Sequence, residues 1–214
     1  DTIDGSGHVY TLGGSYDGVS YSNAPSLAGG AGVYVNLDLG TATGGLGNDL
    51  LIGINEVEGS RYADLLVGSA EANWFEGNAG DDTIYGGDTA EISLDVASYE
   101  DATGAVTVNL DQGSSSPIVL PGGSTTLSGG GVLGTATGAD GNDILVNIEG
   151  IKGSGYCDLL TGNTQANWIT GGLGNDTILG KGGADTLEGG YGNDLFQEEY
   201  SLTSSTTIDG GAGI

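Results

Sequence analysis

Apolar residues recur along this chain at intervals of nine. Leu66, Phe75 and Ile84 form one series and Leu160, Ile169, Ile178, Leu187 and Phe196 another, with Leu51 and Leu145 standing ahead of them. Each is preceded at two positions by Asp or Asn and at seven by Gly, so the unit has Gly at position 1, Asp or Asn at position 6 and the apolar residue at position 8. One block runs 44–52, skips a six-residue spacer (53–58) and continues as 59–67, 68–76 and 77–85. The second runs 138–146, skips another spacer (147–152) and continues as 153–161, 162–170, 171–179, 180–188 and 189–197. Three residues of strand followed by a six-residue turn predict a chain that reverses repeatedly. The middle residue of each strand then points inward, because side chains alternate faces along a strand. The expected fold is all-β, a solenoid around a narrow core.

A larger duplication encloses the small one. Trp74 and Trp168, Asp64 and Asp158, and Asp49 and Asp143 are each 94 residues apart. Val19-Ser-Tyr21 and Val35-Asn-Leu-Asp38 likewise match Ala97-Ser-Tyr99 and Val108-Asn-Leu-Asp111. The second copy carries about 16 extra residues, assigned to the Ser-, Pro- and Gly-rich segment Gln112 to Gly131, which reads as a surface loop. The expected organisation is a first module over 1–88 (flanking strands 9–43, repeat block 44–88) and a second over 89–197 (flanking strands and loop 89–137, repeat block 138–197), with 198–214 opening a further module. Both chain ends fall within a nine-residue unit, as expected of a piece of a longer array.

Composition makes such a fold costly. There are 45 Gly among 214 residues, and each loses more backbone freedom on ordering than any other residue. Aromatic residues are 7% and Met is absent, so apolar burial is thin. Against 29 Asp and Glu stand three basic residues, Arg61, Lys152 and Lys181, and a net charge of −26 opposes the compact state. Acidic, Gly-rich composition alone would predict disorder, but turn preference alone imposes no nine-residue period. The charge argues against nucleic acid or an anionic membrane as partner and for a cation. Cys157 is the only cysteine, which excludes an internal disulfide. No apolar run is long enough to span a bilayer, and Asp1 to Gly7 lack the features of a cleaved signal peptide.

The cation expected is Ca²⁺. Glycines at positions 1 and 4 permit close backbone approach, crowding carbonyl oxygens toward one point, and the position-6 Asp adds a carboxylate. Hard oxygen donors suit Ca²⁺, with its six to eight ligands. Mg²⁺ demands a tighter octahedron and gives up its waters reluctantly. With one His and one Cys, the chain offers transition metals no ligand cluster.

The units resemble the G-G-x-G-x-D-x-U-x repeat of RTX (hemolysin-type) proteins, most closely at 44–52, 171–179 and 189–197. The resemblance implies a right-handed parallel β-roll in which two units make one turn and each ion lies between units n and n+2 on one edge. By position it implies several Ca²⁺ sites, between Asp158 and Asp176, Asn167 and Asp185, Asp176 and Asp194, and Asp64 and Asp82. Asn73, and Asp49 and Asp143 ahead of the spacers, are further ligand candidates. The implied carbonyl ligands are those of Gly59, Arg61, Asn78 and Gly80 in the first block. In the second they are Gly153, Gly155, Gly162, Thr164, Gly171, Gly172, Leu173, Gly174, Gly183, Gly190 and Gly192. Departures from the pattern are Tyr62, Glu71, Tyr156 and Gln165 in place of the position-4 Gly, and Asn73 and Asn167 in place of Asp.

Trp74 and Trp168 occupy position 7 and should face outward, either covered by a neighbouring non-repeat segment or free to contact a sugar or partner. His8 has no triad partner at a recognisable spacing, Cys157 reads as a small turn residue, and Glu198-Glu199 as a solvated pair. Neither a Ser-His-Asp set nor H-E-x-x-H is present, so no catalysis is expected. The reading that follows is a calcium-binding structural module of a large secreted or cell-surface protein of adhesin, surface-layer or biofilm type. The resemblance implies type I export and folding outside the cell, and open β-roll ends could stack with neighbouring repeats. The alternatives are the accessory region of a secreted protease, lipase or alginate epimerase, and a glycan- or partner-binding module using the two tryptophans.

Overall fold

A computed structural model describes residues 1–4, 17–27, 29–87, 93–111, 113, 118–119, 126–127, 133–197 and 205–213. Every regular element among these is a β-strand. In the first copy they are β1 (Thr2–Asp4), β2 (Gly18–Ser20), β3 (Ala31–Asn36), β4 (Thr41–Gly44), β5 (Gly47–Ile52), β6 (Glu56–Glu58), β7 (Ala63–Val67), β8 (Trp74–Glu76) and β9 (Thr83–Tyr85). The second begins with β10 (Val96–Ser98), β11 (Val106–Asn109), β12 (Ile118–Val119), β13 (Thr126–Leu127), β14 (Leu133–Gly138) and β15 (Gly141–Val146). It continues as β16 (Gly150–Lys152), β17 (Leu159–Thr161), β18 (Trp168–Leu173), β19 (Thr177–Leu179), β20 (Thr186–Tyr191), β21 (Leu195–Gln197) and β22 (Thr207–Asp209).

Successive strands of the repeat blocks go to opposite sheets. One sheet has twelve strands in the order β1-β5-β4-β3-β7-β9-β15-β14-β11-β17-β19-β21, the other eight in the order β2-β6-β8-β10-β16-β18-β20-β22. Each repeat strand therefore pairs, in parallel, with the strand two units along: Leu66 with Ile84, Leu160 with Ile178, Ile178 with Phe196, and Ile169 with Leu187. Two units make one coil, and the position-8 residues stack between the sheets. Leu66, Phe75, Leu145, Leu160, Ile169, Ile178 and Leu187 are fully buried, Ile84 and Leu51 nearly so, and Phe196 packs on the same cluster partly exposed. Both sheets run across the expected module boundary, since β9 pairs with β15 and β8 with β10.

The spacers are part of the coil. They supply β6 and β16, short-turn strands of the eight-stranded sheet that put Val57 and Ile151 in the core. The units 44–52 and 138–146, in contrast, lack the expected turn. Their first halves are hairpins, Gly44 opposite Gly47 and Gly138 opposite Gly141, and their acids lie within β5 and β15. These hairpins complete antiparallel meanders, β3-β4-β5 and β11-β14-β15, which build Val35, Ala42, Val108 and Ala136 into the core. Within Gln112 to Gly131 the described residues include the antiparallel pair β12-β13. Past the last full unit, β22 adds to the end of the eight-stranded sheet.

Phe75 is the largest of the fully buried side chains. Phe75→Ala should cost about 3–5 kcal/mol, read as a lower urea midpoint in saturating Ca²⁺. Leu159→Ala, at a position 40% exposed, should stay within about 0.5 kcal/mol.

Candidate metal centre

The alternation of sheets gathers the position-6 side chains on two edges. Turns entering the twelve-stranded sheet carry Asp64, Asp82, Asp158, Asp176 and Asp194; those entering the eight-stranded sheet carry Asn73, Asn167 and Asp185. Along each edge the side chains form a ladder in which Oδ1 accepts the main-chain N–H of the position-6 residue one coil earlier. Asp64 donates to Asp82 at 2.8 Å, Asp158 to Asp176 at 2.8 Å, Asp176 to Asp194 at 3.0 Å and Asn167 to Asp185 at 2.9 Å. These are the four pairs named from the resemblance.

Two ladder members were not expected. Asn73 N–H donates to Asp95 Oδ1 at 2.8 Å, and Asp95 N–H to Glu149 Oε2 at 3.0 Å. Both acids are buried. Each stands two positions before an inward residue, Ala97 or Ile151, which is the offset of positions 6 and 8. That signal was present, but no nine-residue unit surrounds either acid.

The turns fall into two backbone classes. In four of them position 2 is left-handed (Asn78 φ 64°, Gly172 φ 100°, Lys181 φ 71°, Gly190 φ 98°), and so is the glycine at position 4 (Gly80 φ 140°, Gly174 φ 121°, Gly183 φ 114°, Gly192 φ 144°). The other four have Ser60, Ser69, Ser154 or Asn163 at position 2, whose side-chain oxygen accepts the N–H of Tyr62, Glu71, Tyr156 or Gln165 at position 4. In these, the position-6 side chain also accepts the position-2 N–H: Ser60 to Asp64 at 2.5 Å, Ser69 to Asn73 at 2.7 Å, Ser154 to Asp158 at 2.6 Å and Asn163 to Asn167 at 2.8 Å. Asp64 and Asp158 receive the serine hydroxyl as well, and the N–H of Val33 or Val106 from the preceding meander. Both oxygens of each are thus satisfied.

The left-handed turns leave an oxygen over. Oδ2 of Asp82, Asp176, Asp185 and Asp194 is buried with no hydrogen-bond partner. An unpaired buried carboxylate costs several kcal/mol unless it is neutralised. Burial accordingly pushes Asp82 up to about 8 and Asp176 up to about 6, and raises Asp185. Beside Asp176 Oδ2, a Cβ at Gly171 would also lie 2.6 Å from the Gly189 carbonyl oxygen, and Gly59 and Gly153 of the other class keep open the same convergence of carboxylate and carbonyl oxygens. Among the described residues no three His, Cys, Asp or Glu side chains gather at one point. Backbone carbonyls must complete any shell, which suits Ca²⁺ and not zinc.

Asp49 and Asp143 are held differently. Tyr21 Oη donates to Asp49 Oδ2 and Tyr99 Oη to Asp143 Oδ2, both at 3.1 Å, while Asp143 Oδ1 accepts the Asp82 N–H at 3.0 Å. Burial pushes Asp143 up to about 6 and raises both phenols, keeping them protonated donors. The Val-Ser-Tyr and Ala-Ser-Tyr segments thus supply the latch for the meander acids. Tyr99→Phe should cost about 1–3 kcal/mol by leaving a buried acceptor short of its donor; an unchanged thermal midpoint in Ca²⁺ would refute the latch.

A family profile described as the RTX calcium-binding nonapeptide repeat matches in four copies, over residues 58–89, 153–187 and 180–197. The contiguous units of these two segments, 59–85 and 153–197, are RTX-type nonapeptide repeats. The match covers little more than a third of the chain and takes in all eight turns but neither hairpin. No curated protein matches the chain significantly in sequence. Outside the RTX turns, Trp74 and Trp168 lie in one row of the eight-stranded sheet, separated by Val96 and Gly150. Their rings close over that gap to 6.1 Å and both are half-buried, with the Lys152 ammonium 5.5 Å from the Trp74 ring. Cys157 is exposed in an RTX turn, its Sγ accepting the Asn175 N–H. His8 and Glu198-Glu199 lie outside the described residues.

Proposed function

We propose that this chain is a calcium-responsive structural module of a large exported protein of adhesin, surface-layer or biofilm type, without catalytic activity of its own. The carrying observation is the set of four buried carboxylate oxygens that no protein donor satisfies, each in a turn of the RTX repeat. Ca²⁺ supplies the positive charge those oxygens lack, held by Asp82, Asp176, Asp185 and Asp194 with carbonyls of the same and adjoining turns. Binding then belongs to folding, because the unfolded chain holds no preformed cage. Low calcium inside a cell and high calcium outside would keep the chain extended during export and close it afterwards. We take the coil to be right-handed, as in the RTX β-roll. Titration calorimetry on the metal-free protein tests the reading: Ca²⁺ should bind and Mg²⁺ should compete poorly. A chain that takes up no Ca²⁺, or binds both ions equally, would contradict it.

A further inference from the structure

We propose that the residue at position 4 sorts the turns. Those with Gly80, Gly174, Gly183 and Gly192 take the cation, whereas those with Tyr62, Glu71, Tyr156 and Gln165 close on their own hydrogen bonds and give it no side-chain ligand. The inference rests on the calcium reading above and names which turns it uses.

Position 2 does not decide the class. Asn78 and Asn163 are the same residue at the same position, yet Asn78 is left-handed while Asn163 is not, and the Asn163 side chain accepts the Gln165 N–H at 2.8 Å. Of the positions at which the two turns differ, position 4 is the one held left-handed in the first, Gly80 against Gln165. The position-4 glycines sit at φ between 114° and 144°, a region side chains rarely adopt, and a Cβ at Gly80 would stand 2.7 Å from the Tyr62 carbonyl oxygen of the neighbouring turn. A side chain at position 4 therefore forces the other backbone. That backbone turns the position-2 N–H onto the position-6 side chain and uses up the oxygen a cation would need. Agreement with the orphaned oxygens is complete: all four lie in turns with glycine at position 4.

The classes are also ordered along the chain. Each contiguous series opens with two self-closed turns, at 59–64 and 68–73 in the first copy and 153–158 and 162–167 in the second, and cation-taking turns follow. Each RTX block thus starts on turns that need no ion, built against its meander through Asp64 and Asp158, and ends on turns that do. Among the complete turns of the described residues, 171–176 and 189–194 are the pair of cation-taking turns that stack directly on one edge.

The test is an ion count by native mass spectrometry at saturating Ca²⁺. Asp82→Asn, Asp176→Asn and Asp194→Asn should each lose bound calcium, and Asp64→Asn and Asp158→Asn should keep the full count with a lower thermal midpoint. Equal loss from Asp158→Asn and Asp176→Asn, or no loss from any variant, would overturn the sorting while leaving calcium binding intact. Absence of bound calcium in the unmodified chain would instead remove the reading beneath it. Should Asp64→Asn and Asp158→Asn fail to fold, terbium anomalous diffraction from the unmodified protein decides. Peaks should lie against Asp82, Asp176, Asp185 and Asp194, and a peak in direct contact with the Asp64 or Asp158 carboxylate would refute the proposal.

Discussion

Withdrawal of calcium is expected to abolish most of the far-ultraviolet β signal of this chain, and millimolar Ca²⁺ to restore it. The magnitudes make this the largest effect open to experiment. A site exposed to free ion at ~100 times its Kd stabilises the fold by about 2.7 kcal/mol. Four sites, one for each orphaned oxygen, would contribute on the order of 10 kcal/mol, which is comparable to the whole stability of an ordinary domain, about 5–15 kcal/mol. A chain with a one-residue-thick core and 26 net negative charges has little else to replace it. Loss should be steepest from Gly171 to Gln197, where cation-taking turns follow one another. Neighbouring coils should weaken with it, because a solenoid's stability is the sum of its units and their contacts. A β signal that is already complete in metal-free buffer would show that the hydrogen-bonded turns and the core suffice alone.

The parts of this architecture that were legible in the sequence are those with a strict local period. The position-8 residues are inward and the n and n+2 acids adjacent because both follow from nine residues per unit and two units per coil. The hairpins at 44–52 and 138–146 were not legible. G-G-L-G-N-D fits a left-handed calcium turn, but Gly44 and Gly138 end strands already paired with β3 and β11, and that long-range pairing captures the segment. The spacers misled for the opposite reason. Six residues lack the glycine signature, yet alternation between sheets requires a strand there, and Val57 and Ile151 provide it. The substitutions at position 4 were visible from the start, but their consequence was not. Only the backbone shows that Tyr62 or Tyr156 accompanies a serine-closed turn in which Asp64 or Asp158 accepts the position-2 N–H.

Metal-free protein should become more folded as pH falls from about 8 toward 4, the reverse of ordinary acid unfolding. Burial lifts Asp82 to about 8 and Asp176 and Asp143 to about 6, and raises Asp64, Asp158 and Asp185. In the unfolded chain these groups titrate near the ordinary Asp value, about 3.9. A group whose folded pKa lies above its unfolded one gives its full stabilisation below the unfolded value. It loses that stabilisation as pH rises through the folded value, because the folded state holds more protons in between. The folded apo chain therefore gains on protonation across roughly pH 4 to 8, and the fall in overall negative charge acts in the same direction. Calcium inverts the dependence. Its ligands must be ionised, so acid competes with the ion, and the loaded chain should be most stable near neutral pH and lose calcium as the solution is acidified. The far-ultraviolet β signal recorded over the same pH range, once on dialysed metal-free protein and once in millimolar Ca²⁺, should change in opposite directions. If both signals fall together toward acid pH, the buried carboxylates are not the groups that calcium neutralises.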